Sequence, residues 1–178
     1  PYKNVERLIE ALHILKKNRQ FTNKLYVVGK PGDERYVKDL EKLVYDRGLN
    51  NDVIFTGLAT KSELRFAYST CKLFVFPSLC ESSGYSLIEA MSCGAAILAS
   101  NRTAIPFTCK EGAQYFDATS VEDLTTKLKK LLANEAELDQ MRARSLVRAE
   151  EMIDYKSATQ EFLRIVGNPS RTDATRAH

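Results

Sequence analysis

Short, continuous apolar runs alternate along this chain with longer segments whose apolar residues recur at helical spacing. The runs are rich in β-branched and aromatic residues, a pattern that predicts strands buried on both faces. Because strands and helices alternate, we predict an α/β domain in which helices cover both faces of a parallel sheet. The predicted strands are residues 25–29, 53–57, 73–76, 95–99 and 113–116, and the predicted helices begin near residues 4, 36, 60, 86, 120, 138 and 155.

Polar residues and glycines mark several helix ends in this pattern. Asn4 is predicted to be the N-cap of the first helix. Thr60 and Glu63 fit a capping box, in which each side chain binds the backbone N–H of the other residue. Ser120 is predicted to cap a later helix, and Gly48 is typical of a helix stop.

Composition is that of a soluble globular domain. The chain has 178 residues, of which 44% are hydrophobic, enough to bury one core. We predict a single domain over residues 1–166 and a disordered tail over residues 167–178. The formal net charge of +3 is too small to indicate a nucleic-acid partner. No apolar run approaches the ~20 residues that a membrane span needs. The chain begins with Pro and has no signal-peptide pattern, so it reads as a piece of a longer cytoplasmic protein.

The cysteines and histidines offer little for catalysis or metal binding. The cysteines have no C-x-x-C spacing and no histidine beside them, which favours buried reduced thiols over disulfides or a zinc site. With only His13 and His178 in the chain, Ser–His or Cys–His catalysis is not expected. No metal and no other cofactor is predicted. The four cysteines are Cys71, Cys80, Cys93 and Cys109.

The segment between the third and fourth predicted strands is the main candidate site. Glu81 and Glu89, with seven residues between them, flank a turn that contains Gly84. A helix that begins after such a turn has unpaired N–H groups and the positive end of its dipole at its start, which favours a phosphate. The carboxylates would bind hydroxyl groups of a sugar attached to that phosphate. In parallel α/β sheets, ligands bind beyond the carboxyl ends of the strands, where Gly29, Gly57 and this turn are expected to lie.

Each of these residues also has a purely structural interpretation. Ser86 and Glu89 fit a capping box, and Glu81 and Lys3 fit solvated surface charges. Gly84 fits an ordinary turn. There is no G-x-G-x-x-G motif and no P-loop, so neither a dinucleotide-binding fold nor an NTPase is indicated. The residues alone leave these alternatives open.

Several segments together carry a resemblance to a known enzyme family. They are Lys3-Asn4 with residues 8–11, residues 25–29, 53–57 and 76–78, Glu81-x-x-Gly84, and residues 87–94, 104–106 and 112–116. The stretch from Glu81 to Glu89 resembles the E-x7-E signature of the retaining family 4 (group 1) glycosyltransferases. The resemblance extends over residues 1 to about 166. Ser82-Ser83 departs from the family pattern, in which an aromatic residue often precedes the glycine.

The resemblance implies a GT-B enzyme, built from two Rossmann-like domains with the active site in the cleft between them. This chain would be the C-terminal, nucleotide-sugar-binding half, a three-layer Rossmann-like parallel sheet with helices on both faces. The acceptor-binding N-terminal domain lies outside this sequence by the same resemblance. The resemblance also implies a strand that precedes Lys3, ends in a Gly-Arg pair and lies outside this sequence. The isolated chain is therefore expected to be inactive.

The resemblance also implies a role for each residue of the candidate site. Glu81, which would hold hydroxyl groups of the donor sugar, and Lys3, which would bind the diphosphate, are the candidate catalytic residues. Glu89 would hold the ribose hydroxyl groups. The other donor-binding candidates are Gly84, Tyr85 and Ser86, whose N–H groups would face the diphosphate, Leu58, Ala59 and Thr60, which would lie against the base, and Gly29.

The implied reaction is transfer of a mannose- or glucose-type hexose from a UDP- or GDP-linked sugar to a glycan or lipid-linked acceptor, with retention at the anomeric carbon. Such an enzyme would serve cell-surface polysaccharide or glycoconjugate synthesis. It would act in the cytoplasm, with peripheral association at the inner face of the membrane, and would bind no nucleic acid. Two alternatives stay open. One is a nucleotide-sugar 2-epimerase of GT-B architecture, against which the scarcity of histidines argues. The other is a non-catalytic nucleotide-sugar-binding module.

Overall fold

The computed structural model describes residues 2–29 and 33–153, in which strands and helices alternate. The strands are β1 (Leu25–Val28), β2 (Val53–Gly57), β3 (Phe74–Phe76), β4 (Ile97–Ser100) and β5 (Gln114–Phe116). The helices are α1 (Val5–Lys17), α2 (Glu34–Asp46), α3 (Lys61–Thr70), α4 (Tyr85–Ser92), α5 (Ile105–Cys109), α6 (Val121–Leu132) and α7 (Glu135–Ile153). The predicted α/β class is confirmed. The helix predicted at residues 155–166 and the predicted tail lie outside the described residues.

Hydrogen bonding divides the strands into two parallel sheets. β1 pairs with β2, and β4 lies between β3 and β5. Within residues 2–29 and 33–153, no strand connects β1 to β3, whereas the apolar pattern predicted one continuous sheet. The orders β2-β1 and β3-β4-β5 match the two parts of the doubly wound order 3-2-1-4-5-6 on either side of its strand 1.

Two hydrophobic clusters lie on opposite faces of the three-stranded sheet. The first packs α1 and α6 against both sheets, and it includes Leu98 of β4. The second packs α4 and α5 against the other face, where Ile97 and Ala99 of β4 are fully buried. Because every residue of β4 is buried, the predicted covering of both faces is confirmed for this strand.

The β1–β2 sheet differs from the prediction of strands buried on both faces. Leu25 and Val27 pack against the first cluster, but Tyr26 and Val28 are 59% and 40% exposed. Tyr26 lies opposite Ile54, which is 39% exposed. An apolar run cannot by itself distinguish a strand covered on both faces from a strand covered on one.

Most of the predicted caps are confirmed. Thr60 and Glu63 form a capping box, with Thr60 N–H donating to Glu63 Oε2 at 2.7 Å. Gly48 follows α2 with a left-handed φ of 66°, as expected of a helix stop. The Ser120 hydroxyl accepts from the Asp123 N–H at 3.0 Å at the start of α6.

Two predicted side-chain caps do not form. Asn4 occupies the N-cap position of α1, but its side chain makes no capping bond and reaches away from the helix. The Ser86–Glu89 capping box does not form, because α4 begins two residues earlier than that box requires, at Tyr85 with Gly84 as its N-cap. The left-handed backbone of Gly84 places Ser86 inside the helix.

The four cysteines are free, as predicted, but they are not all buried. Cys109 is buried, and burial raises the pKa of its thiol to about 11. Cys71 and Cys93 are partly buried, whereas Cys80 is exposed. Cys80 belongs to the loop after β3, and the sequence pattern does not indicate whether a residue of this loop is buried or exposed.

None of the described helices combines the length and the apolar character that a membrane-spanning helix needs.

Candidate functional site

The loop after β3, residues 77–81, is bound to the rest of the domain at four of its five positions. Two contacts come from the segment that enters α1, and two come from the end of β4 and the loop that follows it. The bonds are Asn4 Nδ2 to Pro77 O at 2.9 Å, Ser100 Oγ to Ser78 O at 2.5 Å, Leu79 N–H to Tyr2 O at 2.8 Å, and Glu81 N–H to Thr103 Oγ1 at 3.0 Å. Because bonds of this kind hold the backbone in one place, Glu81 is attached to a preorganised loop.

Glu81 and Lys3, the two candidate catalytic residues, form an ion pair. Lys3 Nζ lies 2.6 Å from Glu81 Oε1, and the two side chains are 47% and 15% exposed. The ammonium group also lies 5.0 Å from the centre of the Tyr2 ring and 5.7 Å from that of Phe76. A cation within about 6 Å of an aromatic face is attracted to it, so the two rings help to hold the lysine at the carboxyl end of β3.

Asn4 fixes the backbone beside Lys3. Its side chain is fully buried and donates to Pro77 O and to Ala118 O, at 2.9 and 3.0 Å. Its Oδ1 accepts from Arg7. Asn tolerates the left-handed conformation seen here, φ 58°, better than most residues. Asn4 therefore connects the start of α1 to the ends of β3 and β5, and Lys3 is positioned by that connection.

The turn before α4 has the backbone geometry of an anion site. Gly84 is buried with φ 64°, and a Cβ there would lie 2.9 Å from Leu87 Cδ1. Helical bonding begins with Leu87 N–H donating to Gly84 O at 2.7 Å. In the described part of the chain, the N–H groups of Gly84, Tyr85 and Ser86 find no protein acceptor. Three free N–H groups at a helix start favour a bound phosphate.

The Ser82-Ser83 segment, which departs from the family pattern, is hydrogen-bonded to a side chain of α5. The Thr108 hydroxyl donates to Ser83 O at 3.3 Å. α5 itself was not predicted from the sequence, because it has only five residues and contains Pro106. This contact shows that the segment leading into the turn is supported without an aromatic side chain.

Glu89 lies apart from the Lys3–Glu81 pair in the contacts of the described residues. Its side chain is exposed in the second turn of α4, and no described contact joins it to Lys3 or Glu81. Its neighbour is Tyr68 of α3. Burial raises the pKa of Tyr68, a hydrogen bond with Ser86 opposes the increase, and the Glu89 carboxylate adds to it. The structure thus brings Lys3 and Glu81 together and leaves Glu89 beside α3.

The remaining candidates lie at the carboxyl ends of β1 and β2. Gly29 N–H donates to Gly57 O at 2.9 Å, which joins the ends of the two strands. Leu58 is 74% exposed, Ala59 is partly buried, and Thr60 begins α3. Residues 58–60 thus lead into the start of α3, whereas Glu89 neighbours Tyr68, near the end of that helix.

Three residues near the site were not predicted. Tyr68 adjoins Glu89, while Ser100 and Thr103 hold the Glu81 loop. The only signal for the last two was their position, Ser100 at the end of β4 and Thr103 in the loop that follows, at the edge of the sheet where the topology placed the site. Within residues 2–29 and 33–153, no group of three or more His, Cys, Asp or Glu side chains could hold a metal ion.

Comparisons with known proteins agree on one family. The family described as "Glycosyl transferases group 1" matches residues 1–148. A serotype-specific mannosyltransferase of Escherichia coli, WbdA, is 34% identical over 181 residues, 99% of this chain and 22% of that protein. The chain thus spans about a fifth of that relative.

Solved structures show the same fold. The C-terminal domain of a group 1 glycosyltransferase from Francisella tularensis, LpcC, is 25% identical with a TM-score of 0.72, over 84% of this chain and 79% of that domain. Anabaena HepE, solved in complex with UDP, is 21% identical with a TM-score of 0.78, over 94% of this chain and 46% of that chain. From the family match and the 34% identical relative, the chain belongs to the group 1 glycosyltransferase family.

Proposed function

We propose that this chain is the donor-binding half of a retaining GT-B hexosyltransferase, with the nucleotide sugar bound along the carboxyl edge of its sheets. The observation that carries the proposal is the Lys3–Glu81 pair, 2.6 Å apart, beside a turn whose N–H groups have no acceptor among the described residues. A cation and free N–H groups suit a diphosphate, and a carboxylate suits sugar hydroxyl groups.

In this proposal the diphosphate binds between Lys3 and the start of α4. Cleavage of the glycosidic bond builds negative charge on the departing nucleoside diphosphate. Lys3 and the N–H groups of Gly84, Tyr85 and Ser86 lie at the same end of the sheet, where they would stabilise that charge. The Arg that the family resemblance implies upstream of Lys3 would add a second cation.

The two glutamates bind different parts of the donor. Glu81, on the Lys3 side of the turn, accepts from hydroxyl groups of the transferred sugar. By the family resemblance, Glu89, which lies beside Tyr68 of α3, holds the ribose, and the loop of Leu58, Ala59 and Thr60, together with Gly29, borders the base. Two carboxylates that hold different sugars cannot flank one scissile bond, as the pair of a glycosidase does. Both glutamates therefore position the donor in this proposal.

The relatives support the substrate class. WbdA is named a serotype-specific mannosyltransferase, and HepE was solved with UDP. We therefore propose a mannose- or glucose-type donor carried by UDP or GDP, and a glycan or lipid-linked acceptor bound mainly by the N-terminal half. The product would belong to a cell-surface polysaccharide or glycoconjugate, made in the cytoplasm or at the inner face of the membrane.

The test uses the full-length protein with UDP-, GDP- and ADP-linked sugars. We expect one class of donor to raise the melting temperature and to support transfer to a glycan acceptor. Incubation with the nucleotide sugar alone separates an epimerase, which needs no acceptor, from a transferase.

The matched variants are Glu81→Ala at the site and Asp46→Ala, a second carboxylate in an exposed ion pair, on α2. Glu81→Ala should abolish most of the donor-dependent shift and the turnover, and Asp46→Ala should keep both. If Glu81→Ala bound and turned over the donor like the unaltered protein, the proposed role of the site would be wrong.

A further inference from the structure

We propose that Thr103 is a positioning residue that fixes Glu81 for donor binding by accepting a hydrogen bond from its backbone N–H. The inference rests on the proposed function, since it assigns Glu81 to the donor. Thr103 follows β4 and lies 22 positions from Glu81 in the sequence. Neither the motif around Glu81 nor the family resemblance draws attention to its side chain.

The first observation is the backbone of Thr103, which is left-handed with φ 48°. A β-branched residue in this region is a genuine outlier, whereas glycine adopts it without strain. Thr103 is exposed, so no packing in the core requires its methyl group. Strained residues persist where the surrounding structure holds them, and they cluster at functional sites. The side chain itself therefore needs an explanation.

The second observation is the hydrogen bond. Glu81 N–H donates to Thr103 Oγ1 at 3.0 Å. In the described part of the chain this is the one hydrogen bond that holds the backbone of Glu81, because Lys3 contacts only its side chain and the other bonds of the loop hold Pro77, Ser78 and Leu79. A glycine at position 103 would relieve the strain but would provide no acceptor.

The third observation is that the loop carrying Thr103 is itself fixed to the end of β5. Asn101 N–H donates to Phe116 O at 3.0 Å, and Arg102 Nη2 donates to Asp117 Oδ1 at 3.2 Å. A hydroxyl group on a fixed loop can set the position of the group that it binds. A hydroxyl group on a mobile loop would instead move together with that group. Through these bonds β5 holds the Thr103 loop in place, and Thr103 in turn holds the Glu81 backbone. The Glu81 side chain therefore has a fixed starting point for its contact with Lys3.

The experiment compares three substitutions of Thr103 in the full-length protein. Thr103→Val keeps the shape and the β-branch but has no acceptor, Thr103→Ser keeps the hydroxyl, and Thr103→Gly removes both the hydroxyl and the strain. The control is Arg19→Gly, at another exposed left-handed position, φ 55°. Arg19 follows α1, whose 13 residues separate it from Lys3 by about 20 Å.

Three measurements are made on each variant: the donor dissociation constant by calorimetry, the melting temperature, and hydrogen exchange of the Glu81 amide at single-residue resolution. We expect Thr103→Val and Thr103→Gly to weaken donor binding about tenfold, the effect of one lost hydrogen bond, and to accelerate exchange at Glu81. Thr103→Ser should stay within about twofold of the unaltered protein in affinity. The melting temperature of Thr103→Gly should be no lower than that of the unaltered protein. Arg19→Gly should leave affinity and Glu81 exchange unchanged.

A merely structural role predicts a different set of results, namely a changed melting temperature with unchanged affinity in Thr103→Val and Thr103→Gly. That outcome, or an unprotected Glu81 amide in the unaltered protein, would overturn the inference. If the unaltered protein bound no nucleotide sugar while Thr103→Val still accelerated exchange at Glu81, the proposed function would fail and the anchoring role of Thr103 would stand.

Discussion

Lys3 Nζ and Glu81 Oε1 lie 2.6 Å apart, although 78 positions separate the two residues in the sequence. The contact joins the segment before α1 to the loop after β3, and two further bonds, Asn4 Nδ2 to Pro77 O and Leu79 N–H to Tyr2 O, join the same two segments. An opposite charge at this distance neutralises much of the positive charge that a diphosphate would meet. The diphosphate of a bound donor must therefore bind Lys3 together with Glu81, or it must replace Glu81 as the partner of Lys3.

Removal of the lysine should affect the reaction far more than the fold. We expect Lys3→Ala to lower kcat by about 10²- to 10³-fold, the range for loss of one preorganised donor to a developing anion. The free energy of unfolding should change by less than about 1 kcal/mol, because a partly exposed ion pair contributes little to stability. Steady-state kinetics and denaturant unfolding of the full-length protein measure the two effects.

The matched control for that variant is Lys42→Ala, which removes an exposed lysine from an ion pair with Asp46 on α2. Equal activity of the two variants would refute a role for Lys3 in leaving-group stabilisation.

Gly84 should tolerate no side chain. In Gly84→Ala the residue must keep φ 64° and its Cβ would lie 2.9 Å from Leu87 Cδ1, which is fully buried. We expect a loss of about 1–3 kcal/mol of stability, together with weaker donor binding, because the turn that presents the N–H groups must shift. Gly48→Ala has a similar φ of 66° but nothing within 4 Å, so it should lose stability alone. A Gly84→Ala variant with unaltered donor affinity would contradict the phosphate site.

Several features of the fold could be predicted from the sequence because the residues that determine them are close together in the chain. The Thr60–Glu63 capping box depends on residues three positions apart, and the 53–57 strand was bounded by its own glycine. The turn and helix between β3 and β4 followed from the same kind of pattern, and the topology of a parallel sheet placed them at the ligand-binding edge.

The features that could not be predicted depend on contacts distant in the sequence. Asn4 had the local pattern of an N-cap, but two carbonyl groups from other strand ends compete for its side chain. Ser86 and Glu89 had the pattern of a capping box, but the left-handed Gly84 moved the start of the helix. The exposure of Tyr26 depends on which neighbours cover the sheet, and no periodicity in the strand itself reveals that.

Cys80 should report on occupancy of the site. It is exposed and adjacent to Glu81, whereas Cys109 is buried with its pKa raised to about 11 and so carries little thiolate at neutral pH. We expect a maleimide to modify Cys80 faster than the other described cysteines, and a nucleotide sugar to slow that modification. Mass spectrometry of the labelled protein, with Cys80→Ser as the control, follows the rate. Labelling of Cys80 at the same rate with and without a saturating donor would argue against a donor beside Glu81.

Among residues 2–29 and 33–153, β1 and β3 each pair along one edge only, which predicts a further strand in the full-length protein. A parallel strand between them would complete the order 3-2-1-4-5-6, and the bond from Leu79 N–H to Tyr2 O places residue 2 just beyond the end of β3. In the full-length protein we expect the amides on both edges of β1 and β3 to exchange hydrogen as slowly as those of β4. Rapid exchange confined to the edges that face away from β2 and β4 would show that no strand fills this place.

The most direct test of the central claim is a calorimetric titration of nucleotide sugar into the full-length protein and into its Glu81→Gln variant, which keeps the shape of the side chain and removes its charge. Asp46→Asn is the matched control. Loss of a hydrogen bond to a charged group should weaken binding of the sugar donor by at least about tenfold in Glu81→Gln. The free nucleoside diphosphate, which lacks the transferred sugar, should bind Glu81→Gln as well as it binds the unaltered protein, or more tightly once Lys3 is released. Equal affinity of Glu81→Gln, Asp46→Asn and the unaltered protein for the nucleotide sugar would contradict the assignment of this edge as the donor site.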